Sequence, residues 1–198
     1  MKRFIIIVAV VLTLALGLTV FQKMFTGRNS NPLPSLNNDN KQSSSDNPEA
    51  VSVLSENLEV PWSLAFLPNG KIIVTERPGR VRNIDQTGNI SLPIVISKVK
   101  QNGEGGLHGV AVDPQFETNN NIFLYYTYGA NGNNTLNRVV RYKLQNDKLT
   151  EEKIIVDGIP GAVFHDGGRI KFGPDGFLYI TTGDALEPSL AQNKNSLA

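Results

Sequence analysis

His165 and Asp184 stand at the two ends of the segment HDGGRIKFGPDGFLYITTGD. An imidazole with a carboxylate on one ring nitrogen has a fixed tautomer and a second nitrogen free to accept a proton, which is what a general base requires. The spacing suits that chemistry because the residues between them predict a β-hairpin. Phe172-Gly173-Pro174-Asp175-Gly176 is a tight-turn sequence, since Pro174 presets its own φ and Gly176 accepts a positive one. Before the turn, Ile170 and Phe172 alternate with Arg169 and Lys171; after it, Phe177 to Thr182 is rich in aromatic and β-branched residues. Antiparallel pairing sets the start of the first strand beside the end of the second, and so sets His165 and Asp184 on the same side of the sheet. A histidine in a Gly-rich loop is also a common structural residue, and an Asp after Thr182-Gly183 is also ordinary turn chemistry, so the residues alone leave both readings open.

The hairpin has relatives in the chain. Leu64 to Thr75 aligns with Ile170 to Thr181, both with apolar alternation, a Pro-Asn/Asp-Gly turn and an apolar strand ending in Thr. A looser copy runs from Val110 through a longer turn, Gln115 to Asn121, and out along Ile122 to Thr127. Leu64, Val110 and Ile170 mark equivalent points 46 and 60 residues apart. Arg80 to Ile84, Thr135 to Leu144 and Lys153 to Val156 read as further strands, and no long segment keeps a 3.6-residue period. The fold class is therefore all-β. Repeats of short strands at this spacing predict β-propeller blades, about three of them, with a β-sandwich as the alternative. A propeller needs about four blades at least, so residues 51–198 read as a partial one, expected to be marginally stable alone.

Composition divides the chain in three. Lys2-Arg3 precede an uncharged apolar run from Phe4 to Phe21, 18 residues long, which reads as a hydrophobic helix. Residues 1–25 are thus a signal anchor or signal peptide, with membrane contact through residues 4–21 and an extracytoplasmic location, anchored to the cytoplasmic membrane or secreted. Residues 26–50, built of Asn, Ser, Asp and Pro, read as a disordered polar linker, and the propeller domain occupies 51–198. The chain has no cysteine, which excludes disulfides and a lipoprotein attachment site. A formal charge of +1 with acids and bases interspersed gives no basic stripe for nucleic acid.

Four segments carry a resemblance: PWSLAFLPNGKIIVTERPGRVRNI (61–84), GEGGLHGVAVDPQF (103–116), NRVVRYKL (137–144) and HDGGRIKFGPDGFLYITTGD (165–184). In this order they resemble the glucose/sorbosone dehydrogenase family, the soluble aldose sugar dehydrogenases that use pyrroloquinoline quinone (PQQ). The resemblance covers about residues 54–198. It implies a six-bladed propeller, with the quinone over the central channel and calcium beside it, of which this chain holds the first half.

The resemblance also implies roles. His165 matches the base that takes the proton of the sugar's anomeric hydroxyl while hydride passes to the quinone, and Asp184 matches the carboxylate that orients it. Glu104 falls where the family places a Gln or Glu near cofactor and substrate, although its flanking glycines also suit a plain turn. Arg169 is a candidate contact for an anionic quinone, with a structural salt bridge as the other reading. His108, Asp113 and Trp62 are read as structural, His108 as a satisfied polar residue and Trp62 as a core or inter-blade contact. The other quinone-gripping cations and the calcium ligands are expected beyond Ala198, so no metal site is expected here. The function implied is PQQ-dependent oxidation of an aldose to its lactone, with electrons passed to an external acceptor. The alternatives are a non-catalytic propeller that binds carbohydrate or protein, and a metal-dependent lactonase-type propeller, for which Glu104 is nearly the only carboxylate on offer.

Overall fold

The computed structural model describes residues 51–132 and 134–198; the expected helix, anchor and linker of residues 1–50 lie outside the described residues. Strands β1 (Pro61–Phe66), β2 (Ile72–Glu76), β3 (Arg80–Ile84) and β4 (Ile94–Val95) pair in chain order into an antiparallel sheet. A second four-stranded sheet follows, again in chain order: β5 (Leu107–Val112), β6 (Asn121–Gly129), β7 (Thr135–Gln145) and β8 (Lys148–Gly161). The last two strands, β9 (Gly167–Phe172) and β10 (Leu178–Thr182), form a hairpin. The expected all-β class holds, and among the described residues the three sheets do not close on themselves. The two-residue β4 gave no sequence signal, and β8 extends well beyond the expected 153–156.

Burial explains the order of the sheets. Strand β6 reads as a continuous apolar run, Ile122-Phe123-Leu124-Tyr125-Tyr126, because both its faces are covered. Its alternate side chains Ile122, Leu124 and Tyr126 join Ile73, Val81 and Leu107 in a core between the first and second sheets. Phe123 and Tyr125 point the other way and join Val139, Ile159 and Ile170 in a core against the third hairpin. Each such fully buried side chain contributes about 1.5–3 kcal/mol of hydrophobic stabilisation. The outer flanks are different: Leu64 and Phe66 on β1, and Phe177 and Tyr179 around β10, are all more than half exposed.

The first strands of the three sheets lie side by side, β1 against β5 and β5 against β9. Their hairpins share a register, with Leu64 opposite Val74, Val110 opposite Leu124 and Ile170 opposite Ile180. They also share an irregularity at the same place, just after Pro61 opposite Glu76, Leu107 opposite Tyr126 and Gly167 opposite Thr182. The irregularity is a β-bulge, a device that bends a strand and re-aims its side chains. Trp62, His108 and Gly168 occupy its equivalent positions. The Trp62 and His108 rings stack at 4.8 Å, and a Cβ on Gly168 would lie only 2.7 Å from His108 Nδ1. Three neighbouring bulges therefore pack on one another, and the residue that meets the imidazole must have no side chain.

Candidate active site

His165 lies in the connection from β8 to β9 with φ of 64°, a left-handed conformation that costs a residue with a Cβ on the order of 1–3 kcal/mol. Its surroundings hold it there. The His165 N–H donates to Glu104 Oε2 at 3.0 Å, its carbonyl accepts from the Ala185 N–H at 3.2 Å, and its Nδ1 lies 2.9 Å from Asp184 Oδ1. Asp184 also accepts the Leu186 N–H at 3.1 Å, which fixes the carboxylate as well as the ring. The backbones close in tightly enough that a Cβ on Gly183 would fall 1.8 Å from the His165 carbonyl oxygen. Hairpin pairing thus brings together the two residues singled out by sequence.

The electrostatics follow from that geometry. With the carboxylate on Nδ1, the proton of the neutral ring sits on Nδ1 and Nε2 carries the lone pair. The His165 side chain is 57% exposed and the Asp184 side chain 25%. Among the described residues no protein group bonds Nε2, so its lone pair is free to accept a proton.

Glu104, expected near cofactor or substrate, is bonded to protein. Besides holding the His165 N–H, it donates its own N–H to the Val163 carbonyl at 2.8 Å and accepts His108 Nε2 at 3.0 Å on its carbonyl. His108 departs from the expectation of a satisfied polar residue. It is 1% exposed, and its Nδ1 has no hydrogen-bond partner. Burial pushes its pKa below the ordinary value, so the ring is neutral, with its proton on the Nε2 that donates to Glu104.

The Arg169 guanidinium lies 4.3 Å over the Trp62 ring, and among the described residues it makes no ion pair, so the expected structural salt bridge is replaced by a cation–π contact. Trp62 bridges sheets as expected, since its other ring contact, His108, belongs to β5. Trp62 and Arg169 line a cleft of about 670 Å³ along β1 whose lining does not include His165 or Asp184. Asp113 makes an ordinary turn, accepting the Gln115 N–H at 2.9 Å. Among the described residues no group of three or more His, Cys, Asp or Glu converges as metal ligands.

Sequence reasoning missed Asp166, which is 2% exposed. Its Oδ1 accepts Asn137 Nδ2 at 2.9 Å and the Ala162 N–H at 3.1 Å, while its carbonyl accepts the Tyr125 hydroxyl at 2.8 Å. Thr127 Oγ1 completes the line by donating to Asn137 Oδ1 at 2.6 Å. Burial pushes the Tyr125 pKa far up, which keeps this phenol a donor. These bonds fasten the residue after His165 to the second sheet. A polar residue beside His165 gave no sign of being buried, because the partners that hold it to the second sheet lie 29 and 41 positions away.

Comparison with known proteins identifies the family and the fold. Residues 58–198 match the sequence model described as glucose/sorbosone dehydrogenase. The chain is 31% identical over 153 residues to the aldose sugar dehydrogenase YliI of Escherichia coli, covering 74% of this chain and 41% of that protein. It is 28% identical over 157 residues to quinoprotein glucose dehydrogenase B of Acinetobacter calcoaceticus, covering 74% and 31%. Among solved structures, the PQQ-bound aldose sugar dehydrogenase of Streptomyces coelicolor aligns with a TM-score of 0.71 and 32% identity, covering 76% of this chain and 46% of that one. The chain thus spans between about a third and a half of the length of these proteins.

Proposed function

The chain belongs to the glucose/sorbosone dehydrogenase family, and from that premise we propose that it contributes the catalytic base of a PQQ-dependent oxidation of an aldose to its lactone. The observation that carries the reading is the His165–Asp184 contact at 2.9 Å, in a side chain that is more than half exposed and whose Nε2 no described protein group bonds. His165 Nε2 takes the proton of the anomeric hydroxyl, the C1–H bond breaks with its electron pair leaving as hydride, and the C1–O bond becomes the lactone carbonyl. Asp184 holds the ring in the tautomer that makes Nε2 the acceptor and stabilises the imidazolium that forms. When bound, PQQ supplies the two-electron acceptor, and an external acceptor then reoxidises it.

The residues present suit a planar anion in part. Arg169, over the Trp62 ring, offers a delocalised cation that carries no carboxylate of its own among the described residues. We assign no residue here to the calcium ion that the resemblance implies. The three sheets are read as consecutive blades of a six-bladed propeller. The exposed apolar flanks at Leu64, Phe66, Phe177 and Tyr179 support this, since neighbouring blades would cover them. The charged head and apolar run of residues 1–25 support action on the outer side of the cytoplasmic membrane.

The test is aldose oxidation with a dye acceptor by the quinone-loaded, full-length protein. His165→Ala is expected to lower turnover about 1,000-fold or more, with quinone binding, read from its absorbance, retained. Near wild-type turnover by this variant removes the reading.

A further inference from the structure

We propose that Glu104 is a positioning residue for His165, and that the buried His108 holds Glu104 in place for that task; the inference rests on the base role assigned to His165 above. An L-residue at φ of 64° stays there only when its neighbours over-determine it. Of the three bonds that do so, two come from the chain just after β10: Asp184 on the ring and Ala185 on the carbonyl. Both reach His165 from the side of the third hairpin, and the backbone conformation that sets the ring on Asp184 needs a hold from the other side as well. The bond from Glu104 Oε2 to the His165 N–H is different. It spans 61 positions and comes from the turn that leads into β5, in the second sheet. It ties His165 itself to the second sheet, as the bonds of Asp166 tie the next residue, and as a bond between an amide and a carboxylate it is roughly twice as strong as a neutral one.

Glu104 is exposed, and its own backbone has to be anchored before it can anchor anything else. The Val163 carbonyl takes its N–H at 2.8 Å. His108 Nε2 donates to its carbonyl at 3.0 Å, from a ring fixed between Trp62 at 4.8 Å and Tyr125 at 5.8 Å. The order of control runs from the buried His108 imidazole to the Glu104 main chain, and from the Glu104 carboxylate to the His165 backbone. Glu104 acts on the reaction through His165 and need touch no substrate atom.

Steady-state kinetics of the quinone-loaded protein separate this role from the alternatives. Glu104→Ala is expected to lower kcat about 10- to 100-fold while KM for the aldose and quinone affinity stay within about threefold, because a base displaced by about an ångström loses on that order. Glu104→Gln keeps an acceptor oxygen at the same reach and is expected to return to within about fivefold of wild type. Glu104→Asp keeps the charge, loses the reach, and is expected to fall with Glu104→Ala. A raised KM with kcat unchanged in these variants makes Glu104 a substrate ligand and overturns the proposal; so does an unchanged kcat in Glu104→Ala.

A second measurement needs no turnover. The ring nitrogens of the two histidines can be read by ¹⁵N–¹H NMR on protein without quinone. His165 is expected as a single Nδ1–H tautomer in wild type and Glu104→Gln, and as a mixture in Glu104→Ala and Glu104→Asp. His108 keeps its Nε2–H pattern throughout and reports that each variant is folded. A single His165 tautomer in folded Glu104→Ala or Glu104→Asp overturns the proposal whatever the activity. A mixture there, with His165→Ala still active, leaves the positioning role standing and removes the base role.

Discussion

The hairpins β1–β2 and β9–β10 share their register, their bulge and their Pro-Asn/Asp-Gly turn, and even a threonine bonded alike across the bulge. Thr75 Oγ1 accepts the Ser63 N–H and Thr181 Oγ1 accepts the Arg169 N–H, both at 3.1 Å. Glu59 stands five residues before Leu64 as His165 stands five before Ile170. In each case a carboxylate takes the backbone N–H: Glu76 Oε1 at 2.7 Å in the first, Glu104 Oε2 at 3.0 Å in the third. The difference lies in what the side chains face. Glu59 pairs with Arg80, and the fully buried Glu76 is neutralised by Arg80 at 2.8 Å and Arg82 at 3.6 Å. His165 faces one carboxylate and solvent. The same frame is closed by arginines in one copy and left open in the other, so a site arises where charge is left unspent.

On this contrast the closed copy is expected to answer to stability and the open one to rate. Glu76→Ala leaves two arginines without their buried partner and is expected to destabilise the protein by about 3–5 kcal/mol in urea denaturation; Asp184→Ala is expected to cost under about 1 kcal/mol. Equal losses would erase the distinction. Asp184→Asn is expected to lower kcat about 10- to 100-fold by releasing the tautomer of His165, with a melting temperature close to wild type. Gly168→Ala, which forces a Cβ onto His108 at a φ of 110°, is expected to cost about 2–5 kcal/mol, steric clash added to backbone strain, whereas Gly132→Ala, also at positive φ but with open space around its Cβ, costs the strain alone, about 1–2 kcal/mol.

The smallest effect is on pH. His108 is neutral when folded and has a depressed pKa, so the unfolded chain binds the extra proton first. Stability is therefore expected to be full above about pH 6.5, the ordinary histidine value, and to fall as pH drops below it. Thermal melts from pH 5 to 8 read this directly. His108→Gln, which can still donate to Glu104, should flatten that slope, and an equally steep slope in the variant would put the titrating group elsewhere.

The local parts of this picture were legible in the sequence. The Pro-Asp-Gly turn and the strand alternation placed His165 beside Asp184 because both depend on contacts within 19 residues. The repeat placed Leu64, Val110 and Ile170 at matching points because period-two burial leaves its mark on residue type. The sequence did not show Glu104 reaching the His165 backbone, nor Asp166 tied to Asn137, because those bonds join different sheets and use polar residues that look the same buried or exposed. The cation–π contact of Arg169 was hidden for the same reason: its partner Trp62 lies in another sheet.

The meeting of His108 with Gly168 has an evolutionary consequence. Two separate conditions, a φ of 110° and an imidazole where a Cβ would go, reserve position 168 for glycine. A lineage that replaces His108 with a smaller residue lifts only one of them. Substitutions at 108 should therefore accumulate while 168 stays fixed, and a side chain at 168 should appear only where the bulge itself has been lost.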